Sequence, residues 1–223
     1  MGQDFFKYLP SEITIDILAR LCIQAIISCK LVCKPWLDLL TTSEFVKLHL
    51  SKSVPRLAIC QPESVSKRYK IIEFVNELSD EDNGNIFNFD FPFRVPLLSS
   101  ANGLLLMQKF ESEPFICNPV IREYITLLSP RPTHAMVFFE RYGFGVSKMS
   151  GDYKVVRIFI EGLPPNDQIG CQVYTIGTRL WRKIAFVNPQ KLYNRIAVFL
   201  DGNLHWTESK GSSWRIRSLD LET

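Results

Sequence analysis

The first 50 residues hold more apolar side chains than a segment of that size can bury. They include 28 residues of the types Ala, Val, Ile, Leu, Met, Phe, Trp, Tyr and Cys, with five basic and five acidic side chains. A segment of about 50 residues forms only a marginal core when no metal or disulfide supports it. Apolar surface left outside such a core is typical of an interaction site. The segment therefore predicts a binding function through an uncharged surface.

Periodicity indicates that residues 5–50 form helices. The first helix has apolar side chains at the spacing of one helix face, at Ile13, Ile17, Leu18 and Leu21. A second helix is predicted over residues 24–34, and Pro35 should end or kink it and can open a short third helix carrying Trp36. Ser43 is predicted to cap a last short helix that runs to Leu50.

After Pro55 the sequence changes to short apolar runs separated by turn signals such as Asn102-Gly103 and Asp201-Gly202. The acidic stretch 77–85 is predicted to be a mobile loop. The runs predict strands over 57–60, 69–74, 103–107, 115–117, 153–159, 171–176, 181–184, 196–200, 204–207 and 216–221. A further strand at 124–128 has a weak counterpart at 181–184, an offset of roughly 58 residues that is near but above a kelch-type blade period. Many short strands favour a sandwich, barrel or propeller.

No group of residues has the pattern of a catalytic or metal site. The three histidines, His49, His134 and His205, stand apart, and no nucleophile-elbow, zinc-protease or phosphate-loop motif is present. Cys29 and Cys33 could share a helix face, but further ligands at metal spacing are missing. We therefore predict no catalytic residue, no metal and no cofactor. The aromatic residues that could line a pocket are better explained as sheet-packing residues, namely Tyr174, Trp181 and Trp206.

Charge and hydropathy exclude two further classes of partner. The net charge is only +3, and no basic stripe of the kind that neutralises phosphates is visible. No run reaches the about 18 apolar residues of a membrane span. We therefore predict neither nucleic-acid binding nor membrane insertion.

Two sets of motifs resemble a known family. Residues 5–50 resemble an F-box through Leu9-Pro10, the apolar face of the first helix, and the run Cys29-Lys30-x-Val32-Cys33-Lys34-x-Trp36. The rest of the chain resembles the F-box-associated interaction domain of the large plant F-box family. The motifs that carry this second resemblance are Ser100-Ala101-Asn102-Gly103-Leu104-Leu105, Cys117-Asn118-Pro119-x-x-Arg122, Tyr142-Gly143-Phe144-Gly145, Asp152-Tyr153-Lys154-Val155-Val156, Val173-Tyr174-x-x-Gly177-x-x-x-Trp181-Arg182 and Asp201-Gly202-Asn203-Leu204-His205-Trp206.

The resemblance implies an α+β protein with two domains. Residues 1–50 would form a three-helix F-box, and residues 51–223 an all-β, kelch-like propeller region. Such proteins dock to a Skp-family adaptor and, through it, to cullin and RING subunits of a ubiquitin ligase. They are non-catalytic, select a protein substrate with the β domain, and act in the nucleus or cytoplasm. The implied adaptor-binding residues are Leu9, Pro10, Ile13, Ile17, Leu18, Leu21, Val32 and Trp36.

The chain departs from the family pattern in length. About 170 residues follow the F-box, enough for three to four blades of ~40–50 residues, so we expect a truncated or open propeller with an exposed edge near Leu219 and Leu221. This favours, as an alternative, a decoy that binds the adaptor without a client, or an adaptor-binding protein acting outside degradation. A small-molecule binder or enzyme would need a cluster of polar residues that the sequence does not show. Substrate recognition is assigned to the least patterned segments, 60–70, 108–114 and 163–170.

Overall fold

Helices precede strands in this protein, as the sequence predicts. The computed structural model describes residues 9–54, 56–62, 67–73, 86–91, 95–109, 112–128, 137–162, 168–185, 197–210 and 212–222. The predicted loop at 77–85 and His134 lie outside these residues, and the three predicted recognition segments lie partly outside them. The chain divides into two compact units, a first unit of residues 1–61 and 68–89 and a second unit of residues 62–67 and 90–223.

The first unit begins with four helices rather than the three implied for an F-box, namely α1 (Ser11–Leu18), α2 (Ile23–Cys29), α3 (Lys34–Leu40) and α4 (Ser43–Lys52). Helix α2 is shorter than predicted because the amides of Leu31 and Val32 bond to carbonyls three residues back and close tight turns. Pro35 lies in the first turn of α3, as expected. The cap of α4 is Thr42 rather than Ser43: the Thr42 hydroxyl accepts the Phe45 amide at 3.2 Å.

A small core holds the helices together. Its buried members are Leu18, Ala19, Ile26, Leu40 and Phe45, and further side chains pack partly against them. Polar contacts join the two ends of this segment: the His49 ring lies 3.1 Å from the Ala19 carbonyl, and Lys52 pairs with Asp16. These contacts fix α4 against α1, so that the helical segment is closed by its own last helix.

The strands form four separate sheets, and the described strands make no closed barrel. The first sheet has the order β1-β2-β3 and lies mostly in the first unit, with strands Arg56–Pro62, Lys67–Glu73 and Ile86–Phe91. The second unit holds three antiparallel meanders. They are β4 (Leu97–Ala101), β5 (Leu104–Gln108), β6 (Pro114–Asn118) and β7 (Glu123–Thr126); β8 (Val137–Val146), β9 (Tyr153–Glu161), β10 (Gln168–Thr175) and β11 (Trp181–Ile184); and β12 (Val198–Leu200), β13 (Asn203–Lys210) and β14 (Ser213–Asp220).

Local turn chemistry positions several of these strands. Asn102 and Gly103, between β4 and β5, have φ values of 48° and 80°, and Asp201 and Gly202, between β12 and β13, have 52° and 79°. Positive φ at both central residues is the two-residue hairpin turn that Asn-Gly and Asp-Gly favour. These two turn signals are therefore confirmed, and within the described residues each of the ten predicted strands overlaps an observed strand. Strands β7 and β11 are the last strands of successive four-stranded sheets, which agrees with the predicted counterpart.

Three strands were not predicted from the sequence, namely β3, β4 and β8. Strand β8 contains two glycines, which weaken a strand pattern. A Cβ atom on Gly143 would lie 2.7 Å from Leu204 Cδ1, and one on Gly145 would lie 2.4 Å from Phe199 Cδ2. The glycines therefore let β8 approach the sheet β12-β13-β14 more closely than any side chain would allow.

One serine on β4 bonds to β8 and to Ala197, the residue just before β12, and so links the starts of the three sheets in the second unit. The Ser99 hydroxyl on β4 lies 3.0 Å from the Ala197 carbonyl and 3.3 Å from the Phe144 carbonyl, and it accepts the Phe144 amide at 3.1 Å. All three groups are buried, where an unpaired polar group is costly. The first strands therefore meet at a common centre, with the later strands of each sheet outside, which is a blade-like arrangement.

Candidate protein-interaction surface

The eight residues implied to bind an adaptor separate into two groups. Leu9, Ile13 and Ile17 are 37%, 47% and 42% exposed, and Pro10 and Val32 are exposed too. By contrast, Leu18 is only 2% exposed, and Leu21 and Trp36 are half-buried against the same helical core. The first group is available to a partner, and the second group supports the helices that present it.

Three members of the exposed group form a row along one side of α1 and its approach. Leu9, Ile13 and Ile17 follow one another at four-residue spacing, which places them on one face of a helix and its approach. Pro10 sets the start of that helix, since its carbonyl accepts the amides of Ile13 and Thr14, both at 3.1 Å. The row therefore depends on the start of α1 as well as on the helix itself.

Three exposed apolar side chains belong to the same helical segment but were not predicted, namely Leu31, Leu37 and Val46. Leu31 stands beside Val32 in the turn after α2, inside the run that carries the F-box resemblance. The sequence did contain a signal for this exposure, namely two adjacent apolar residues, Leu31 and Val32, in a turn ahead of Pro35. The helical segment therefore exposes more apolar side chains than the F-box resemblance implied.

Asp16 on α1 pairs with two basic side chains of the helical segment, Arg20 and Lys52. Hydrogen bonds from Lys52 and Arg20 hold the pKa of the Asp16 carboxyl below its usual value. The predicted sharing of a helix face by Cys29 and Cys33 is wrong, because Cys29 ends α2 and Cys33 precedes α3. Within the described ranges, no three His, Cys, Asp or Glu side chains are grouped as a metal site would need.

The aromatic residues of the second unit pack within and between its sheets. Trp206 and Tyr174 are buried in two separate cores of this unit. Trp181 lies 5.3 Å from the Tyr174 ring, centroid to centroid, and its indole N–H donates to the Leu128 carbonyl at 2.6 Å. His205 shares a hydrogen bond of 2.8 Å with Ser218. These contacts account for the aromatic side chains as packing residues.

The second unit contains two buried thiols, on Cys117 and Cys171. Burial raises the pKa of both, that of Cys171 to about 12. Because the thiolate is the nucleophile, such thiols are unreactive at neutral pH. Cys22 and Cys33 are exposed.

We expect iodoacetamide at pH 8 to alkylate Cys22 and Cys33 in the native protein and to leave Cys171 unmodified. A pKa of about 12 leaves a thiolate fraction on the order of one in ten thousand at that pH. Peptide mass spectrometry after timed labelling measures this, and labelling in denaturant is the control, since all thiols should then react. Equal rates for Cys171 and Cys33 in the native protein would contradict the burial.

Among the described residues, no helix has the length and apolar character needed to cross a membrane. A family model for the F-box associated beta propeller domain matches residues 46–223, and an F-box-like model matches residues 6–47. The first of these covers most of the chain and meets the second at the end of the helical segment.

Similar proteins are known from Arabidopsis thaliana. The putative F-box protein At1g33530 is 27% identical over 96% of this chain and 48% of its own length. F-box protein CPR1 is 24% identical over 89% of this chain and 53% of its own length. F-box/kelch-repeat protein At3g23880 is 25% identical over 96% and 62%. This chain therefore spans about half to three-fifths of the length of the curated relatives it matches.

The family match agrees with the order of elements, four helices followed by blade-like antiparallel sheets. The apolar surface lies on the part that matches the F-box-like model, and the packed sheets lie on the part that matches the propeller model. The chain therefore belongs to the plant F-box proteins that carry an F-box-associated β-propeller domain.

Proposed function

We propose that this protein is a substrate-recognition subunit of a cullin–RING ubiquitin ligase. The helical segment would dock to a Skp-family adaptor, and the β region would select a protein substrate. The observation that carries the proposal is the exposed apolar row of Leu9, Ile13 and Ile17 on a helical segment of balanced charge. Asp16 on the same helix pairs with Arg20 and Lys52. Exposed apolar side chains on a small helical unit favour a partner protein as their cover.

The proposed role is positional rather than chemical. The ligase would bring substrate and ubiquitin-carrying enzyme together, and proximity alone accelerates a reaction strongly. The buried thiols of Cys117 and Cys171 are poor nucleophiles, so a ubiquitin thioester on them is not expected. We assign this activity to the nucleus or cytoplasm, where the cullin and RING subunits would join through the adaptor.

Adaptor binding should depend little on salt, because the proposed contact is apolar. Electrostatic attraction between exposed charges is largely screened at high ionic strength, whereas apolar burial is not. We expect titration of the chain with purified adaptor to give dissociation constants within about threefold of each other at low and high salt. A loss of affinity of more than about tenfold at high salt would show that the adaptor contact is mainly charged and would contradict the proposed apolar contact.

Substrate selection is tested by affinity purification from plant cells after proteasome inhibition. Recovery of adaptor, cullin and a client protein that accumulates with the inhibitor supports the proposed function. Recovery of adaptor without any client would instead favour a decoy or a role outside degradation. A variant with a disrupted row on α1 serves as the control, because it should lose adaptor and cullin but keep a client held by the β region.

A further inference from the structure

The free edge of the sheet β8–β11 is basic. Strand β11 pairs with β10 on one side, and no other described strand pairs with it. Arg182 and Lys183 at its centre are exposed, as is Arg179 in the turn before it, and Leu180 is 74% exposed. No carboxylate of the described residues pairs with any of these three cations, and none occurs in the sequence from Val173 to Phe186.

The location of β11 at a sheet edge does not by itself explain the positive charge of Arg182 and Lys183. Lysine and arginine on edge strands are a common protection against aggregation, because charges discourage a further strand from pairing. Strand β7 is the corresponding edge of the preceding sheet and has the same length, yet it reads Glu-Tyr-Ile-Thr and carries no basic residue. Strand β14, an edge of the following sheet, carries Arg215 and Arg217, but these alternate with uncharged residues and Arg217 pairs with Glu208. Adjacent cations without a carboxylate partner among the described residues therefore distinguish β11 from the other two edges.

The two central cations point to opposite faces of the sheet. Trp181 packs against Tyr174 in one core, and Ile184 packs against a second core, so Lys183 shares a face with Trp181 and Arg182 with Ile184. Along the edge the order is apolar, basic, basic, apolar. This order reads the same in both directions, so a complementary strand can pair parallel or antiparallel.

We propose that the β11 edge binds an extended segment of a partner protein by strand addition, and that this segment carries two consecutive acidic residues flanked by apolar ones. Each acidic side chain lies directly across from one cation on the same face, where opposite charges stabilise a strand pair. The flanking apolar residues lie across from Trp181 and Ile184. Main-chain hydrogen bonds along β11 supply the sequence-independent part of the binding.

The apolar positions favour a protein over a nucleic acid. Nucleic-acid binding needs a run of cations along a backbone path, whereas this edge offers three, next to Leu180, Trp181 and Ile184. The assignment deepens the proposed function by naming the chemical class of a substrate segment, and it rests on that function for calling the partner a substrate. Peptide binding to the edge does not require the adaptor.

The test uses the full chain and a fluorescent ten-residue peptide with valine, aspartate, glutamate and isoleucine at its centre. Fluorescence anisotropy should show saturable binding, weakened about tenfold when asparagine and glutamine replace the acidic pair. The variant Arg182→Glu with Lys183→Glu should weaken binding to a similar extent. The variant Arg122→Glu with Arg215→Glu changes net charge equally at exposed positions elsewhere and should bind as the unmodified protein does.

N-methylated peptides test strand addition on the unmodified protein, so the result does not depend on the folding of a variant. Methyl groups on one alternate set of central amides should abolish binding, and on the other set should be tolerated, because only one set faces β11. Equal binding of both methylated peptides would reduce the contact to nonspecific charge attraction and overturn the proposal. Tighter, variant-sensitive binding of a single-stranded oligonucleotide would overturn it in favour of a nucleic acid.

Discussion

Replacing Ile13 and Ile17 by aspartate should abolish adaptor binding while leaving the helices folded. Both side chains are almost half exposed and neither belongs to the helical core, so aspartate at these positions should leave that core intact. An adaptor that covers them would have to desolvate two carboxylates without partners, and central apolar anchors each contribute about 2 kcal/mol or more to an interface. We expect an affinity loss of at least about a hundredfold, or roughly 3 kcal/mol, in a calorimetric titration.

Two controls separate the surface from the core. The variant Val198→Asp with Ile216→Asp places the same charges on exposed apolar positions of the sheet β12-β13-β14 and should bind adaptor normally. Leu18→Ala removes a side chain from the helical core and should lower the free energy of unfolding by about 2–5 kcal/mol. Normal adaptor binding by the variant Ile13→Asp with Ile17→Asp would show that the row on α1 is not part of the interface.

Replacing Trp206 by alanine should lower the free energy of unfolding of the second unit by about 3–5 kcal/mol. Trp206 is 1% exposed and belongs to the core between the sheets β8–β11 and β12–β14. Its ring also lies against β8 where a Cβ on Gly143 would be 3.0 Å from Trp206 Cζ2. The cavity left by the indole cannot be filled from β8, because a glycine stands at the point of closest approach.

Trp206→Phe is the matched control. The indole N–H of Trp206 is buried and has no hydrogen-bond partner in the part of the chain that the structure describes. Deleting it therefore loses no hydrogen bond, and the phenyl ring refills most of the space, so we expect a loss of only about 1–2 kcal/mol. Urea unfolding of the full chain, followed by circular dichroism, measures both variants. Equal stability of the alanine and phenylalanine variants would show that the core closes around the smaller side chain.

Local structure could be predicted because its causes are adjacent in sequence. Asn102-Gly103 and Asp201-Gly202 predicted hairpins since their residue types tolerate positive φ, and Pro35 predicted the start of α3 since it lacks an amide hydrogen. The same local logic missed the cap of α4 by one residue. Thr42 and Ser43 are both suitable caps, and the sequence offers no means of choosing between them.

The tertiary structure decided which of the residues proposed to bind the adaptor lie on the surface and which lie in the core. Ile17 and Leu18 are adjacent and equally apolar, yet Ile17 is exposed and Leu18 is buried, because α2, α3 and α4 cover only one side of α1. A helical period predicts an apolar face but not how much of it the rest of the chain covers. Strand β8 shows the same limit, since its glycines are required by side chains more than 50 residues away.

The sequence by itself therefore determined the order of helices and strands, the turns and the family. Periodicity, turn chemistry and motif spacing each depend on residues that are close together in the sequence. The tertiary structure alone decided which apolar side chains of α1 are exposed and that the adjacent cations Arg182 and Lys183 lie on an edge strand. Exposure depends on what packs against a residue, and that is set by contacts between segments far apart in the chain.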